Sequence, residues 1–243
     1  MGAPLLPAYG APLNATEPFP AEVILWAVRW YLQFPISYRD LERMLADRGV
    51  SVDHTTMYRW VQRFAPELEK RMRRHLRPCR GPWHVDETYV RVDGQWRYLY
   101  RAVDGSGQTI EFMLSAKRDK RAAKRFFRKA LRRGNTRNPR EVVTDRLKSY
   151  PGALREMKRE GELWRFTRHR RGRWHNNRVE QDHRRIKRRT RPMLGFESFV
   201  TARRTLAGVE AMAMLAKGQV RAVPANDMPA QRSFVHQIFG LAA

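Results

Sequence analysis

The chain has 243 residues, 42% of them hydrophobic, and carries 49 Lys and Arg against 24 Asp and Glu, a formal net charge of +25. That apolar content excludes an intrinsically disordered chain, and so large a positive charge points to a polyanionic partner, nucleic acid first. One cysteine, Cys79, excludes an internal disulfide and a cysteine zinc knuckle and fits a reducing cytosol.

Residues 1–20 hold Pro4, Pro7, Pro12, Pro18 and Pro20 and read as a disordered arm. They lack a basic n-region and apolar core, so no secretory signal is expected. Residues 21–65 read as three helices. The first spans Ala21 to Phe34, with Val23, Ile24, Trp26, Ala27, Trp30 and Tyr31 in an amphipathic pattern stopped by Pro35. Ser37 caps the second, Tyr38 to Arg48, and Gly49 ends it. Asp53 or Thr55 caps the third, running to about Phe64 with Met57, Val61 and Phe64 inward. Helix, tight turn, helix is the pattern of a helix-turn-helix. Its last helix would offer His54, Thr56, Tyr58, Arg59 and Arg63 to DNA. An ordinary three-helix bundle with solvated polar faces has the same spacing.

Residues 66–82 carry Pro66, Pro78 and Pro82 and read as a short helix and a linker. At Trp83 the texture changes to alternation. Trp83–Val92 and Gln95–Val103 read as strands joined by an Asp93-Gly94 hairpin turn, followed by a third strand, Thr109–Ala116. A helix from Lys120 to Arg133, closed by Gly134-Asn135, precedes a short apolar strand, Glu141–Thr144. A helix over Tyr150–Glu160, a fifth strand at Trp164–Thr167 and a helix from Glu180 to about Arg191 follow. Phe196–Lys217 is the last helix, and residues 196–243 form a C-terminal helix and tail. Over residues 83–195 this order predicts an α/β domain of the RNase H-like class: a mixed five-stranded sheet with flanking helices, behind an all-α helix-turn-helix domain. The longest apolar stretch, Leu206 to Ala216, is too short to cross a bilayer and is broken by Gly208 and Glu210, so no membrane association is expected.

Three acids stand out. Asp86 lies within a strand, Asp145 directly follows Val142-Val143-Thr144, and Glu180 opens a very basic helix 35 positions after Asp145. An acid at the end of a buried strand is costly unless a cation or donor satisfies it. Two brought together repel each other, and a hard divalent cation with oxygen ligands, Mg²⁺ or Mn²⁺, relieves the repulsion. Two such ions serve in-line displacement at phosphorus. Glu87 should point to the opposite face of its strand, and Asp182 lies about 200° round the helix from Glu180. Glu180, His183, Arg184 and Lys187 share i, i+3, i+4, i+7 spacing, which puts the basic members beside the acids where a phosphate would lie. Residues 165–191, with twelve Arg or Lys among 27, are the most basic part of the chain. Trp174, His175, Asn176 and Asn177 precede the helix; Asn176 or Asn177 can cap it, or the group can help hold a scissile strand. No histidine or cysteine spacing suits zinc, and no Gly-rich phosphate loop with a Lys is present.

The ordered motifs W-H-V-D-E-T-Y-V-R-V-D-G-Q-W-R-Y-L-Y-R-A-V-D, V-V-T-D-R-L-K-S-Y, N-N-R-V-E-Q-D-H-R-R-I-K-R-R and G-F-E-S-F-V-T-A-R-R-T-L-A-G-V-E resemble bacterial insertion-sequence transposases of the DDE class, of the IS-six family. The resemblance covers about Pro20 to Lys217. It implies an N-terminal helix-turn-helix that binds terminal inverted repeats. It also implies metal-dependent exposure of a 3′-OH at the element ends, with its attack on target DNA. It carries the catalytic and metal-binding roles onto Asp86, Asp145 and Glu180, and a basic accessory role onto Lys187. A homodimer holding two ends, acting in the bacterial cytoplasm at the nucleoid, is the corresponding expectation. A decayed or domesticated DNA-binding regulator and a plain RNase H-like nuclease are the alternatives; the intact acids speak against the first and the helix-turn-helix against the second.

Overall fold

A computed structural model describes residues 19–133, 138–145, 147–172 and 177–241. The arm before Phe19, the Gly134-Asn135 helix closure and the group Trp174, His175 and Asn176 lie outside the described residues. Two compact units emerge, one formed by the residues up to His75 with those from Ala207 onward, the other by Leu76–Leu206.

The first unit is helical. α1 (Ala21–Gln33) buries Ile24, Leu25, Val28 and Leu32. α2 (Tyr38–Ala46) opens on a capping box: the Ser37 hydroxyl accepts from the Asp40 amide at 3.1 Å, and the Asp40 carboxylate accepts from the Ser37 amide at 2.9 Å. α3 (His54–Met72) is capped by Asp53, whose carboxylate accepts from the Thr55 and Thr56 amides at 2.9 and 3.0 Å. α3 does not stop near Phe64. It runs on through the segment expected to be a linker, with Pro66 inside it. Ala65, Leu68 and Met72 continue the buried stripe of Met57, Val61 and Phe64, and that burial offsets the hydrogen bond that proline removes. Where α7 (Phe199–Ala216) meets α1 and α3, Gly208 permits the approach. A Cβ there would come within 2.6 Å of Ala65 Cβ and of a Leu32 methyl. α8 (Met228–Ile238), capped by Asp227, buries Phe234, Val235 and Ile238 in this unit.

The second unit is built on a five-stranded sheet of order β3-β2-β1-β4-β5. β1 (Trp83–Val92), β2 (Gln95–Val103) and β3 (Thr109–Ser115) are antiparallel; β4 (Glu141–Thr144) and β5 (Arg168–Arg171) run parallel to β1 and to each other. Asp93 and Gly94 have φ of 52° and 66°, the doubly left-handed turn that suits the twist of a two-residue hairpin. α4 (Lys120–Leu131), capped by Asp119, and α5 (Ser149–Arg159) cover one face of the sheet. Val85, Tyr100, Phe126, Phe127, Tyr150 and Met157 fill the core there. Successive strand residues face opposite ways, so Arg101, next to Tyr100, reaches the other face, where α6 (Asn177–Thr190) packs against β1 and β2. Three antiparallel strands, two parallel strands beyond them and helices on both faces make this an RNase H-like fold.

β5 is Arg168–Arg171, not the apolar Trp164–Thr167. It pairs through its backbone with the edge of β4, Val142 opposite His169. An edge strand held by its ladder needs no apolar side chains, and basic ones suit a sheet edge. Trp164 and Phe166 are exposed and meet edge to face at 5.4 Å.

Candidate active site

The parallel pairing of β1 with β4 ends with Val85 opposite Thr144. An aspartate follows each of these two residues in the chain, so register brings Asp86 beside Asp145. One carboxylate oxygen from each of Asp86, Glu87 and Asp145 lies within 4.8 Å of the other two. The Asp86 carboxylate accepts from the Glu87 amide at 2.9 Å, and that of Asp145 from the Leu147 amide at 3.0 Å. Burial pushes the Asp86 carboxyl up to about 7, and the charges of Glu87, Asp145 and Glu180 add to the effect. An all-oxygen donor set in which one carboxyl is driven toward its neutral form by burial and by its neighbours' charge fits a divalent cation, whose charge would oppose that shift.

Glu87 was expected to face away from Asp86. Its side chain does reach the α4–α5 side, where the Tyr150 hydroxyl and Arg118 Nε donate to it. One of its oxygens nevertheless belongs to the acidic group. Burial raises the Glu87 carboxyl, against the lowering by Tyr150 and Arg118, and pushes the Tyr150 phenol well above its ordinary value. Arg118 also stands 3.9 Å from Asp145 Oδ2, so one guanidinium lies between two acids. Neither Arg118 nor Tyr150 carries a sequence signal for this place; both reach it from the loop before α4 and the start of α5.

Glu180 lies on the exposed side of α6, outside the three-acid group but close enough to help raise Asp86. The predicted common face of Glu180, His183, Arg184 and Lys187 divides. Val179, Asp182, His183, Ile186 and Arg189 turn inward, while Glu180, Arg184 and Lys187 stay exposed. Asp182 pairs with Arg101, which is why it faces away from the acids. His183 is buried with its Nδ1 4.0 Å from Asp86 Oδ2. Burial first, then Arg101 and Lys187, lowers the imidazole to about 3. It is therefore neutral near pH 7, and its approach to Asp86 is a contact of a neutral ring, not an ion pair.

In the helical unit, the residues expected on the recognition helix lie at the start of α3. At least four of the five have partners within the chain. His54 Nδ1 is 3.2 Å from Glu42, the Thr56 hydroxyl donates to Asp53 at 2.6 Å, and Tyr58 meets Tyr38 edge to face at 5.9 Å. Arg59 and Arg63 are exposed, with the Arg63 guanidinium 5.1 Å from the centre of the Phe64 ring. Among the described residues no helix is long and apolar enough to cross a membrane.

A family model described as a DDE domain matches residues 81–219. The chain is 37% identical over 206 residues to the transposase for the insertion sequence-like element IS431mec of Staphylococcus aureus, covering 84% of this chain and 89% of that one. The transposase for insertion sequence element IS257 in transposon Tn4003, also from Staphylococcus aureus, matches with the same identity and coverage. Among solved structures the chain is similar to the HTLV-2 integrase catalytic core domain in complex with magnesium. The TM-score is 0.43 at 17% identity, covering 62% of this chain and 95% of that one.

Proposed function

Because the chain belongs to the IS-six family of DDE insertion-sequence transposases, metal-dependent polynucleotidyl transferases that act on DNA, we propose that it binds the terminal inverted repeats of its own element, cleaves at their 3′ ends and joins them to target DNA. The observation that carries this reading is the approach of the Asp86 and Asp145 carboxylates just beyond the last β1–β4 pair, with the Asp86 carboxyl raised to about 7. Acids placed at such expense in a chain of net charge +25 are kept for chemistry, not for stability.

In this reading Asp86, Asp145 and Glu180 hold two Mg²⁺ or Mn²⁺ ions, which when bound activate the attacking oxygen and stabilise the leaving one at phosphorus. Asp86 and Asp145 come from the sheet, whose register fixes them. Glu180 comes from α6, whose rotation is set by its buried face. Arg118 keeps Glu87 and Asp145 from repelling each other in the resting site. Lys187, two turns beyond Glu180 on the exposed side of α6, holds a phosphate of the scissile strand, with Arg184 beside it. The neutral His183 packs behind Asp86 and limits its contact with water.

The start of α3 enters a groove of the repeat DNA, with Arg59 and Arg63 the first to meet it. His54, Thr56 and Tyr58 join by exchanging their internal partners. Two copies of the chain hold two element ends, as a homodimer at the bacterial nucleoid. The test is strand transfer with purified full-length protein, a labelled end from its own flanking repeats, a plasmid target and Mg²⁺, beside Asp86→Ala. Metal-dependent joined product that Asp86→Ala lacks is expected. Binding without joining would favour a regulator, and nicking without joining a nuclease.

A further inference from the structure

β4 pairs with β1 only as far as Val85. Further along the same strand the chain returns, and Phe196 bridges to Val92. A groove lies in this part of the second unit. From the hairpin it is lined by Tyr89, Trp96 and Tyr98, and Phe196 joins them. Tyr89 stands directly opposite Tyr98 in the β1–β2 register, with ring centres 5.4 Å apart, and Trp96 meets Tyr89 edge to face at 6.4 Å. Trp96 is 64% exposed and Tyr89 43%. The lining also carries cations, Arg91 from β1, Arg184, Lys187 and Arg188 from α6 and Arg191 just after it, beside the apolar Val90, Pro192 and Leu194. No carboxylate lines the groove among the described residues.

Exposed rings alone would suit many partners, and so would cations alone on a DNA-binding protein. Their combination is selective. Ring faces next to guanidinium and ammonium groups match unstacked bases joined by phosphates. A duplex keeps its base faces within the stack and offers these rings nothing to stack on, whereas an unpaired strand presents both bases and phosphates. The cations without carboxylates argue against a second copy of so basic a chain. Position also matters. Tyr89 is three residues beyond Asp86 on β1, about 10 Å along the strand, and Lys187 is seven beyond Glu180 on α6, about 10 Å along the helix. The aromatic and the basic lining thus both lead away from the acids by similar distances.

We propose that this groove holds unpaired nucleotides next to the scissile phosphate, with bases stacked on Tyr89, Trp96 and Tyr98 and phosphates held by Lys187, Arg188 and Arg191. The proposal rests on the transposase reading above, since it places a DNA strand across Asp86 and Asp145. Its test does not need catalysis. Full-length protein in EDTA is titrated with a short fluorescent oligothymidylate, with the same strand carrying a central 2-aminopurine, and with a blunt duplex of equal length.

The wild-type protein should quench the 2-aminopurine. Trp96→Ala and Tyr89→Ala should each weaken oligothymidylate binding about tenfold, while Trp96→Phe stays near wild type and duplex binding is unchanged in all three. Both side chains are exposed, so the variants should keep the wild-type melting temperature. Unchanged oligothymidylate affinity in both alanine variants overturns the proposal. So does an equal loss of duplex and single-strand binding, or a change in sedimenting mass with Trp96→Ala, which would put a second copy in the groove. Failure here with strand transfer intact refutes the groove alone. Intact single-strand binding without strand transfer refutes the catalytic reading instead.

Discussion

Arg101 Nη2 lies 2.6 Å from Asp182 Oδ2, the arginine fully buried in β2 and the aspartate buried on α6. This ion pair ties the helix carrying Glu180 to the sheet carrying Asp86. Arg101 is the direct cross-strand partner of Asp86, so the clamp acts one strand away from the acids. Removing one member of a buried pair costs about 3–5 kcal/mol. Asp182→Ala should lower the unfolding free energy by that order in urea denaturation and abolish strand transfer with Glu180 untouched. Arg101→Met with Asp182→Leu should recover most of the stability. If the double variant is no more stable than Asp182→Ala, the pair is not the clamp.

Asp145→Asn keeps the shape of the side chain and its acceptor toward the Leu147 amide, but removes a charge. Strand transfer should fall to background while mobility-shift binding to the element ends stays within about twofold, since the helical unit is unaffected. Loss of both would make Asp145 a structural residue.

The raised Asp86 carboxyl has a sign that calorimetry can read. Its folded pKa, about 7, lies above the ordinary value of 3.8, so the folded state binds the proton more tightly than the unfolded chain. The stability this contributes is present at low pH and is lost as pH rises through about 7. Without metal, Asp86→Asn should therefore melt higher than wild type at pH 8, by at least about 3 °C, with the gap closing near pH 4. His183 contributes the opposite slope. Its folded pKa of about 3 lies below 6.5, so its share of stability is lost as pH falls below 6.5. Comparing the two proteins at each pH cancels that background. Mg²⁺ should raise the melting temperature of wild type at pH 8 and leave Asp86→Asn unmoved. An Asp86→Asn protein that melts lower at pH 8 would contradict the burial argument.

Arg59 is exposed at the start of α3. If it reads a base edge, Arg59→Ala should cost about 1–3 kcal/mol in binding to the terminal repeats and relax preference at one position. His54→Ala should cost less, because His54 must first leave Glu42. An unchanged Arg59→Ala footprint would place the reading surface elsewhere.

With a net charge of +25, binding to any DNA should weaken steeply with salt through counterion release. The logarithm of the affinity should fall linearly with that of the salt concentration. A flat response would mean that the charge serves something other than phosphate contact.

Much of the fold was legible because its signals are local. The cap at Ser37, the Asp-Gly hairpin at 93–94 and the alternating burial of β1 from Thr88 to Val92 follow from neighbouring residues and their backbone preferences. The acids Asp86 and Asp145 were legible because a charge at the end of an apolar run is conspicuous. Pro66 misled because a proline is read as a breaker when the buried face that retains it cannot be seen. β5 misled because an edge strand held through its backbone leaves no apolar pattern. Glu87 could be assigned to the opposite side of β1, but not to a place among the acids, since its carboxylate is held by Tyr150 and Arg118, which come from distant parts of the chain.

The chain order thus carried its family and its class of chemistry, because residue type and spacing record which groups a phosphoryl-transfer site requires. Tertiary packing decided how those groups meet. The parallel register ending at Val85 and Thr144 set Asp86 against Asp145. The buried Arg101–Asp182 pair set the rotation of α6, which took His183 inside and left Glu180, Arg184 and Lys187 outside. The aromatic and basic groove exists only where the β1–β2 hairpin, the end of α6 and the returning segment at Phe196 come together. Such contacts join residues about a hundred positions apart. Their energy comes from burial and charge pairing in three dimensions, which no local pattern of side chains encodes.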